Sequence, residues 1–199
     1  RAYVTLQENN ALAIIDLDAL SIVRIVSLGF KDHSLPGNEL DVSDSDGLVN
    51  MRNWPIWGMY QPDAIAAYEV AGETYLVTAN EGDVRDWSGF SESMRVKALR
   101  DDFDVTIALI NTFFGGFPNA YDEDDRANLD ADALLGRLNI SNSSGWTGCL
   151  IDGSDVLDAP GDTCTFTRLY AHGGRSFSIL NADGQRIFDS GNDFERRIA

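Results

Sequence analysis

The chain has 199 residues, of which 44% are apolar, and a formal net charge of −17. This size and apolar content are sufficient for a buried core, and no apolar run approaches the roughly 18 residues that span a bilayer. We therefore expect no membrane span in this segment. We also expect no nucleic-acid partner, because so negative a protein repels a phosphate backbone.

Residues 2–29 predict three antiparallel strands. The links between the apolar runs, Asn9-Asn10 and Asp18-Ala19-Leu20, are short and compatible with turns. The run from Leu12 to Ile15 is apolar on both faces, which favours a strand buried between two neighbouring sheets.

Residues 30–61 predict a structured functional loop. The stretch is rich in Gly, Pro and Asp and is too long for an ordinary connection. It carries Trp54, Trp57 and Tyr60, whereas disordered segments seldom hold so many aromatic residues. These aromatics are most simply the packing core of the loop.

Within this loop, the segment from Asp41 to Gly47 (Asp-Val-Ser-Asp-Ser-Asp-Gly) carries oxygen-bearing side chains close together before a glycine. Hard cations bind such oxygen donors, although the segment is not an EF-hand in register. We expect Ca²⁺ to be held by four residues: Asp41, Ser43, Asp44 and Asp46. The alternative is an Asp/Ser-rich turn that is satisfied by its own backbone.

Residues 63–70 and 73–79 predict two further strands, and residues 175–181 and 185–189 predict another two. The intervening residues, 83–174, predict an insertion that lies as a cap over one face of the domain. We expect helices from Ser91 to Arg100 and from Asp122 to Leu135, the second with acidic residues at its start.

Internal repetition connects the two sets of strands. The strand at Tyr3 resembles the strand at Tyr75, and Ala11–Asp16 resembles Ser176–Asn181, each followed by a turn and one more strand. Repeated up-and-down strands are typical of β-propeller blades. The predicted fold is therefore mainly β, with residues 1–199 forming part of one β-propeller domain, about two blades with a long and partly helical insertion.

A propeller needs at least about four blades, so we expect the chain to be part of a longer protein. The absence of an initiator Met fits a processed or incomplete chain. The expected partner is the remainder of a longer propeller chain or a set of associated subunits.

Glu81 and Asp83 follow directly on one copy of the repeated strand, and Glu8 follows the other copy. Corresponding strand ends surround the central channel of a propeller, so these carboxylates predict a shared cation or polar ligand. The alternative is that they form ion pairs, with Arg85 for example, that brace the loops.

The histidines and one arginine give weaker signals. His33 lies in a polar loop and predicts a ligand contact, with a hydrogen-bonded structural histidine as the alternative. Arg175 precedes a strand and predicts an anion or carboxylate contact, with a structural salt bridge as the alternative.

Cys149 and Cys164 flank a Gly- and Asp-rich loop. With no metal-like partners nearby, the pair predicts a disulfide and an oxidising compartment; two unpaired buried thiols are the alternative. The sequons at Asn139 and Asn142 permit a glycoprotein. Motifs of standard hydrolases, nucleotide-binding proteins and zinc proteases are absent from the sequence.

Several longer segments carry a family resemblance. They are Gly29 to Asn38, Asp41 to Gly47, Asn53-Trp54-Pro55, Gly58 to Ile65, Tyr75 to Asp86, Gly136-Arg137-Leu138, Arg175 to Ile179 and Phe188 to Glu195. On these segments the chain resembles the choice-of-anchor I proteins, which include mesenchyme-specific cell-surface glycoproteins and bacterial proteins described as atypical alkaline phosphatases.

The resemblance implies a secreted or surface-anchored β-propeller of about twice this length or more, with acidic, calcium-binding surfaces. One departure is the stretch from Cys149 to Cys164, which stands where the resemblance implies a second calcium-like loop. A disulfide would brace the chain there in place of a metal.

Three functions are consistent with these signals. The first is an extracellular calcium-binding propeller module for ligand binding or surface assembly. The second is a metal-dependent phosphoesterase, in which a cation held by Glu81 and Asp83 activates water and Arg175 and His33 hold the phosphate. The third is a structural subunit of a surface layer or filament.

Overall fold

The computed structural model describes residues 1–101, 104–107, 129–150 and 163–198. The chain divides into two compact units. The first unit holds Arg1–Lys31, Gly58–Val84 and His172–Ala199, and the second holds Asp32–Trp57 and Arg85–Ala171.

The first unit begins with an antiparallel sheet in the order β1-β2-β3. Its strands are β1 (Ala2–Leu6), β2 (Ala11–Asp16) and β3 (Ser21–Ser27). A short 3-10 turn at Gln7–Asn9 and the left-handed Asn10, with φ of 50°, close the first hairpin. Asp16 closes the second, because its Oδ1 accepts hydrogen bonds from the amides of Asp18 and Ala19. The three strands predicted for residues 2–29 are confirmed.

A second antiparallel sheet of the first unit has the order β17-β16-β7-β6. Its strands are β6 (Ala64–Val70), β7 (Glu73–Asn80), β16 (Ser176–Asn181) and β17 (Arg186–Asp189). Ala71 and Gly72 both have positive φ, 53° and 83°, which forms the tight turn between β6 and β7. The predicted neighbours β7 and β16 pair from Ser176 opposite Asn80 to Asn181 opposite Tyr75.

The core of the first unit lies between these two sheets. Leu12 and Ile14 of β2 pack with Leu76 and Leu180 of the four-stranded sheet, and all four are at most 2% exposed. Buried positions alternate along β16, as the two-residue period of a strand requires. The two sheets therefore stack face to face. A short helix, α2 (Asp193–Ile198), follows β17.

The remaining strands form three further sheets. A five-stranded sheet has the order β10-β12-β15-β5-β4, a three-stranded sheet has the order β11-β14-β13, and β8 pairs with β9. Their bounds are β4 (Phe30–Asp32), β5 (Ile56–Met59), β8 (Asp86–Trp87), β9 (Phe90–Ser91), β10 (Met94–Arg95), β11 (Asp104–Ile107), β12 (Asn139–Ile140), β13 (Trp146–Leu150), β14 (Thr163–Phe166) and β15 (Leu169–His172). A core of its own fills the second unit around Trp54, Ile56, Leu135 and Phe166.

The prediction of a mainly β fold is confirmed, but the predicted helices are not. Ser91 to Arg100 contains the last residue of β9 and the whole of β10, and its helical residues belong to the short α1 (Ala98–Asp101). β10 pairs with β12, so a tertiary contact overrides the local helix preference. Of the second predicted helix, residues 129–135 form turns and residues 122–128 lie outside the described residues.

No closed ring of sheets occurs among the described residues, so the propeller stays a prediction. Within these same ranges, the helices are all too short or too polar to cross a membrane.

Candidate functional site

The Asp41–Gly47 loop is folded largely by its own backbone. Asp41 Oδ2 accepts a hydrogen bond from the Asn50 amide at 3.2 Å, and Asp46 Oδ1 accepts one from the Leu48 amide at 3.0 Å. Ser43 Oγ accepts a hydrogen bond from the Ser45 amide. These contacts are those of the Asp/Ser-rich turn, the alternative to a calcium site.

Two of the four predicted calcium ligands have partners elsewhere in the second unit. Ser43 Oγ donates to the Asp132 carbonyl oxygen at 2.6 Å. The Asp44 carboxylate accepts hydrogen bonds from both Nε and Nη2 of Arg137. The hydrogen bond and the charge of this guanidinium lower the pKa of Asp44. The carboxylate therefore stays ionised, and Arg137 already compensates its negative charge.

Asp46 differs from its neighbours. Its Oδ2 is buried and has no hydrogen-bond partner among the described residues. A buried carboxylate oxygen without a partner is costly, and a cation would satisfy it. Across the described ranges, however, no three His, Cys, Asp or Glu side chains lie close enough together to hold a metal ion. Any cation here would need carbonyl, hydroxyl and water ligands as well.

The carboxylates at the strand ends are exposed. Glu8, Glu81 and Asp83 all lie at the surface, and Asp83 Oδ1 accepts a hydrogen bond from the Val84 amide at 2.7 Å. The metal-dependent phosphoesterase stays a prediction.

Arg85 has a partner that the sequence did not indicate. Its Nε donates to Glu92 Oε2 at 2.6 Å, and the Glu92 side chain is only 5% exposed. Glu92 Oε1 also accepts hydrogen bonds from Ser141 and Ser143. Burial raises the pKa of Glu92, but the Arg85 hydrogen bond and charge and the two serines outweigh it, so the net shift is downward.

His33 is a buried residue that holds the loop together. It is 2% exposed, and its Nδ1 lies 2.8 Å from the Asn38 carbonyl oxygen. Its backbone bonds both Ile56 and Trp54. This placement favours the structural interpretation of His33 over ligand binding.

Arg175 pairs with a neighbouring acid in the first unit. Its Nη1 donates to Glu195 Oε1 at 3.0 Å, and its side chain is 42% exposed. The position is compatible with an anion contact, but the observed partner is that of a structural salt bridge.

A buried polar network in the first unit was missed by the sequence analysis. Asn80 Nδ2 donates to Ser176 Oγ at 3.0 Å and to Ser178 Oγ at 2.8 Å, and both hydroxyls donate to Asp189 Oδ2. Lys31 completes the network from the other side of Asp189. The alternating serines of Arg-Ser-Phe-Ser were the available signal, because small polar residues at every second position lie on one face of a strand.

The segment after β7 and the segment before β16 approach each other so closely that each needs a glycine at the point of contact. Gly82 and Gly173 have φ of 94° and 84°. A Cβ on Gly82 would overlap the backbone of Gly173, and a Cβ on Gly173 would overlap the Glu81 carbonyl. The two chain segments therefore cross in direct backbone contact.

The two cysteines lie on neighbouring antiparallel strands, Cys149 on β13 and Cys164 on β14. Their side chains lie outside the described residues, so the disulfide stays a prediction. The sequon residue Asn142 is 5% exposed and donates to the Ser91 carbonyl oxygen, whereas Asn139 is exposed.

The comparison with protein families matches the choice-of-anchor I domain over residues 1–199. The chain belongs to the choice-of-anchor I domain family. A choice-of-anchor domain indicates a surface-related module, which agrees with the expected surface or extracellular location. The match concerns the family as a whole and does not distinguish mesenchyme-glycoprotein or phosphatase-like members.

Among curated proteins, this choice-of-anchor I chain is similar to Gigasin-3a of Magallana gigas, with 39% identity over 72 residues. The match covers 36% of this chain and 20% of Gigasin-3a, so the matched part spans a fifth of that relative. No solved structure matches the chain.

Proposed function

We propose that this chain is a calcium-binding β-module of an extracellular or cell-surface protein, and that its Asp41–Gly47 loop holds the ion. The observation that carries the proposal is the buried Asp46 Oδ2, which has no hydrogen-bond partner among the described residues. Family membership supports the surface location, and the net charge of −17 favours cation binding over anion binding.

Asp41 and Asp46 would hold the ion, with backbone carbonyls and water completing the six to eight oxygen ligands that Ca²⁺ requires. Ca²⁺ would supply the positive charge that compensates a buried carboxylate. Asp44 would stay paired with Arg137 and anchor the loop to the rest of the second unit.

The module would form part of a larger β-propeller. Support comes from the internal repeat and from the two antiparallel sheets of the first unit, which stack through Leu12, Ile14, Leu76 and Leu180. Adjacent blades of a propeller contact each other through such faces.

The experiment is a thermal unfolding series with and without Ca²⁺. A ligand that binds only the native state at about 100 times its Kd stabilises by about 2.7 kcal/mol, which for this size raises Tm by about 5 °C or more. We expect this shift in the wild type and its loss in Asp46→Asn. Asp18→Asn is the matched control, because Asp18 is an exposed carboxylate in the first unit, and it keeps the shift. A wild-type Tm that is the same in Ca²⁺ and in EDTA contradicts the proposal.

A further inference from the structure

Arg137 is held beside the proposed calcium loop by the backbone around it. Leu138, the next residue, is 8% exposed and belongs to the core of the second unit. The Gly136 carbonyl oxygen accepts a hydrogen bond from the Lys97 amide, and the Leu138 carbonyl oxygen accepts one from the Val96 amide. The Arg137 side chain therefore extends from a segment that is fixed on both sides.

The guanidinium of Arg137 engages both carboxylate oxygens of Asp44. Nε donates a hydrogen bond to Asp44 Oδ1, and Nη2 donates one to Asp44 Oδ2 at 3.0 Å. A contact at two points matches the planar fork of an arginine to a carboxylate and fixes the orientation of both groups. A carboxylate that is engaged at both oxygens is a poor ligand for a second cation.

This pairing changes the charge that the loop presents to an ion. The loop carries the carboxylates of Asp41, Asp44 and Asp46, and Arg137 compensates that of Asp44. The affinity of calcium loops depends on the number of charged ligands, and a guanidinium beside the loop repels a divalent cation. Without Arg137, the Asp44 carboxylate would be available two positions before Asp46, which is the spacing of successive side-chain ligands in calcium-binding loops.

Other contacts hold the loop in place. Leu40 and Val42, at its start, are 2% and 8% exposed. The Leu40 backbone exchanges two hydrogen bonds with the Arg52 backbone, at 2.9 and 3.3 Å. Ser43 Oγ donates to the Asp132 carbonyl oxygen at 2.6 Å. The position of the loop is therefore secured without the arginine.

The pair of Arg137 and Asp44 adds little to this anchoring. The two side chains are 35% and 72% exposed, and an ion pair this exposed contributes little to stability. We propose that Arg137 lowers the calcium affinity of the loop by keeping Asp44 away from the ion. This role of Arg137 rests on the proposed function, because it concerns the same site. It gives the loop a Kd on the order of 10⁻⁴–10⁻³ M, which is typical of extracellular calcium modules and agrees with the surface location that family membership indicates.

The test is isothermal titration of Ca²⁺ into the wild type and Arg137→Met at one fixed ionic strength. We expect Arg137→Met to bind Ca²⁺ about tenfold more tightly or better, because Asp44 becomes a ligand and a repelling charge is removed. Arg168→Met is the matched control. Arg168 is exposed in the same unit and lies over the Trp57 ring, so this variant loses the same charge at another place and should bind like the wild type.

Two further variants separate the freed carboxylate from other effects. Arg137→Met/Asp44→Asn should return to about the wild-type affinity, because the freed carboxylate is gone. Arg137→Gln removes the charge but keeps a hydrogen-bond donor. It should also tighten binding, and it provides the measurement if Arg137→Met does not fold. Circular dichroism in EDTA checks that each variant is folded.

The outcomes distinguish the role of Arg137 from the calcium site itself. If the wild type binds Ca²⁺ and the folded Arg137 variants bind it equally or more weakly, the role of Arg137 is overturned and the calcium loop stands. An equal gain in Arg168→Met or in the double variant would also overturn it, since neither variant frees Asp44. Absence of Ca²⁺ binding by the wild type and all variants would contradict the proposed function and the role of Arg137 with it.

Discussion

Lys31 and Asp189 form an ion pair inside the first unit, with Lys31 Nζ 3.4 Å from Asp189 Oδ1 and side chains that are 2% and 16% exposed. Lys31 Nζ also donates to the carbonyl oxygens of Gly174 and Gly191. Burial lowers the pKa of Lys31, and the negative charge of Asp189 opposes that shift. The lysine therefore connects the end of β17 to the segment before β16.

We expect Lys31→Met to destabilise the protein by about 3 kcal/mol or more, because a nearly buried carboxylate loses its cation. Urea unfolding measures this change. The control is Arg175→Met, which breaks the more exposed pair with Glu195 and should cost less than about 1 kcal/mol. Equal losses of unfolding free energy in the two variants would show that the buried Lys31 pair contributes no more to stability than the exposed Arg175 pair.

Gly173→Ala should be among the most damaging substitutions of a small residue in the first unit. The new methyl group would overlap the Glu81 carbonyl at a backbone φ of 84°, so both strain and a clash oppose it. Gly72→Ala is the control, since Gly72 has a similar φ of 83° but open space around it. We expect about 1–2 kcal/mol for Gly72→Ala from backbone strain alone and a clearly larger loss of unfolding free energy for Gly173→Ala. Similar losses would contradict the backbone crossing.

The lowered pKa of Glu92 predicts how the stability of the protein changes in acid. Because its pKa in the folded state lies below the ordinary value of 4.5, its contribution to stability is present above that value. The contribution is lost as the pH falls through the folded pKa. Glu92→Gln removes the titrating group, so the variant is less stable at neutral pH and its stability falls less steeply in acid. Urea midpoints measured between about pH 3 and pH 6 test this, and parallel curves for the two proteins would exclude Glu92 as the cause.

Cys149 and Cys164 lie on paired strands, and 14 residues separate them in the sequence. A disulfide that closes a loop of about 15 residues stabilises by about 3 kcal/mol. We therefore expect two fewer free thiols in the oxidised protein and a lower Tm after reduction. Thiol titration under denaturing conditions and mass measurement check it, with Cys149→Ser/Cys164→Ser as the variant whose Tm does not respond to reductant. Two titratable thiols in the untreated protein would disprove the bridge.

The sequence predicted the strands of the first unit because their signals are local or repeated. Ala71-Gly72 marks a hairpin by itself, and the repeat identified Ser176–Asn181 as the neighbour of β7 although residues 81–175 lie between them. The turn at Asp41–Gly47 could also be predicted from the local sequence, because its hydrogen bonds run mainly to its own backbone.

The missed features depend on groups that only the fold brings together. Asp44 and Arg137 are 93 positions apart, and neither segment indicates the other. The sequence alone suggests that Lys31 lies at the surface. In the fold, the segments before β16 and after β17 enclose it. Ser91 to Arg100 contains good helix formers, yet pairing with Asn139 and Ile140 makes part of it a strand.

The central claim is that the Asp41–Gly47 loop binds Ca²⁺, and isothermal titration calorimetry tests it most directly. We expect about one Ca²⁺ bound per wild-type chain at this loop, no binding there in Asp46→Asn, and unchanged binding in Asp18→Asn. Absence of Ca²⁺ binding by the folded wild type, or equal binding by the wild type and Asp46→Asn, would contradict it.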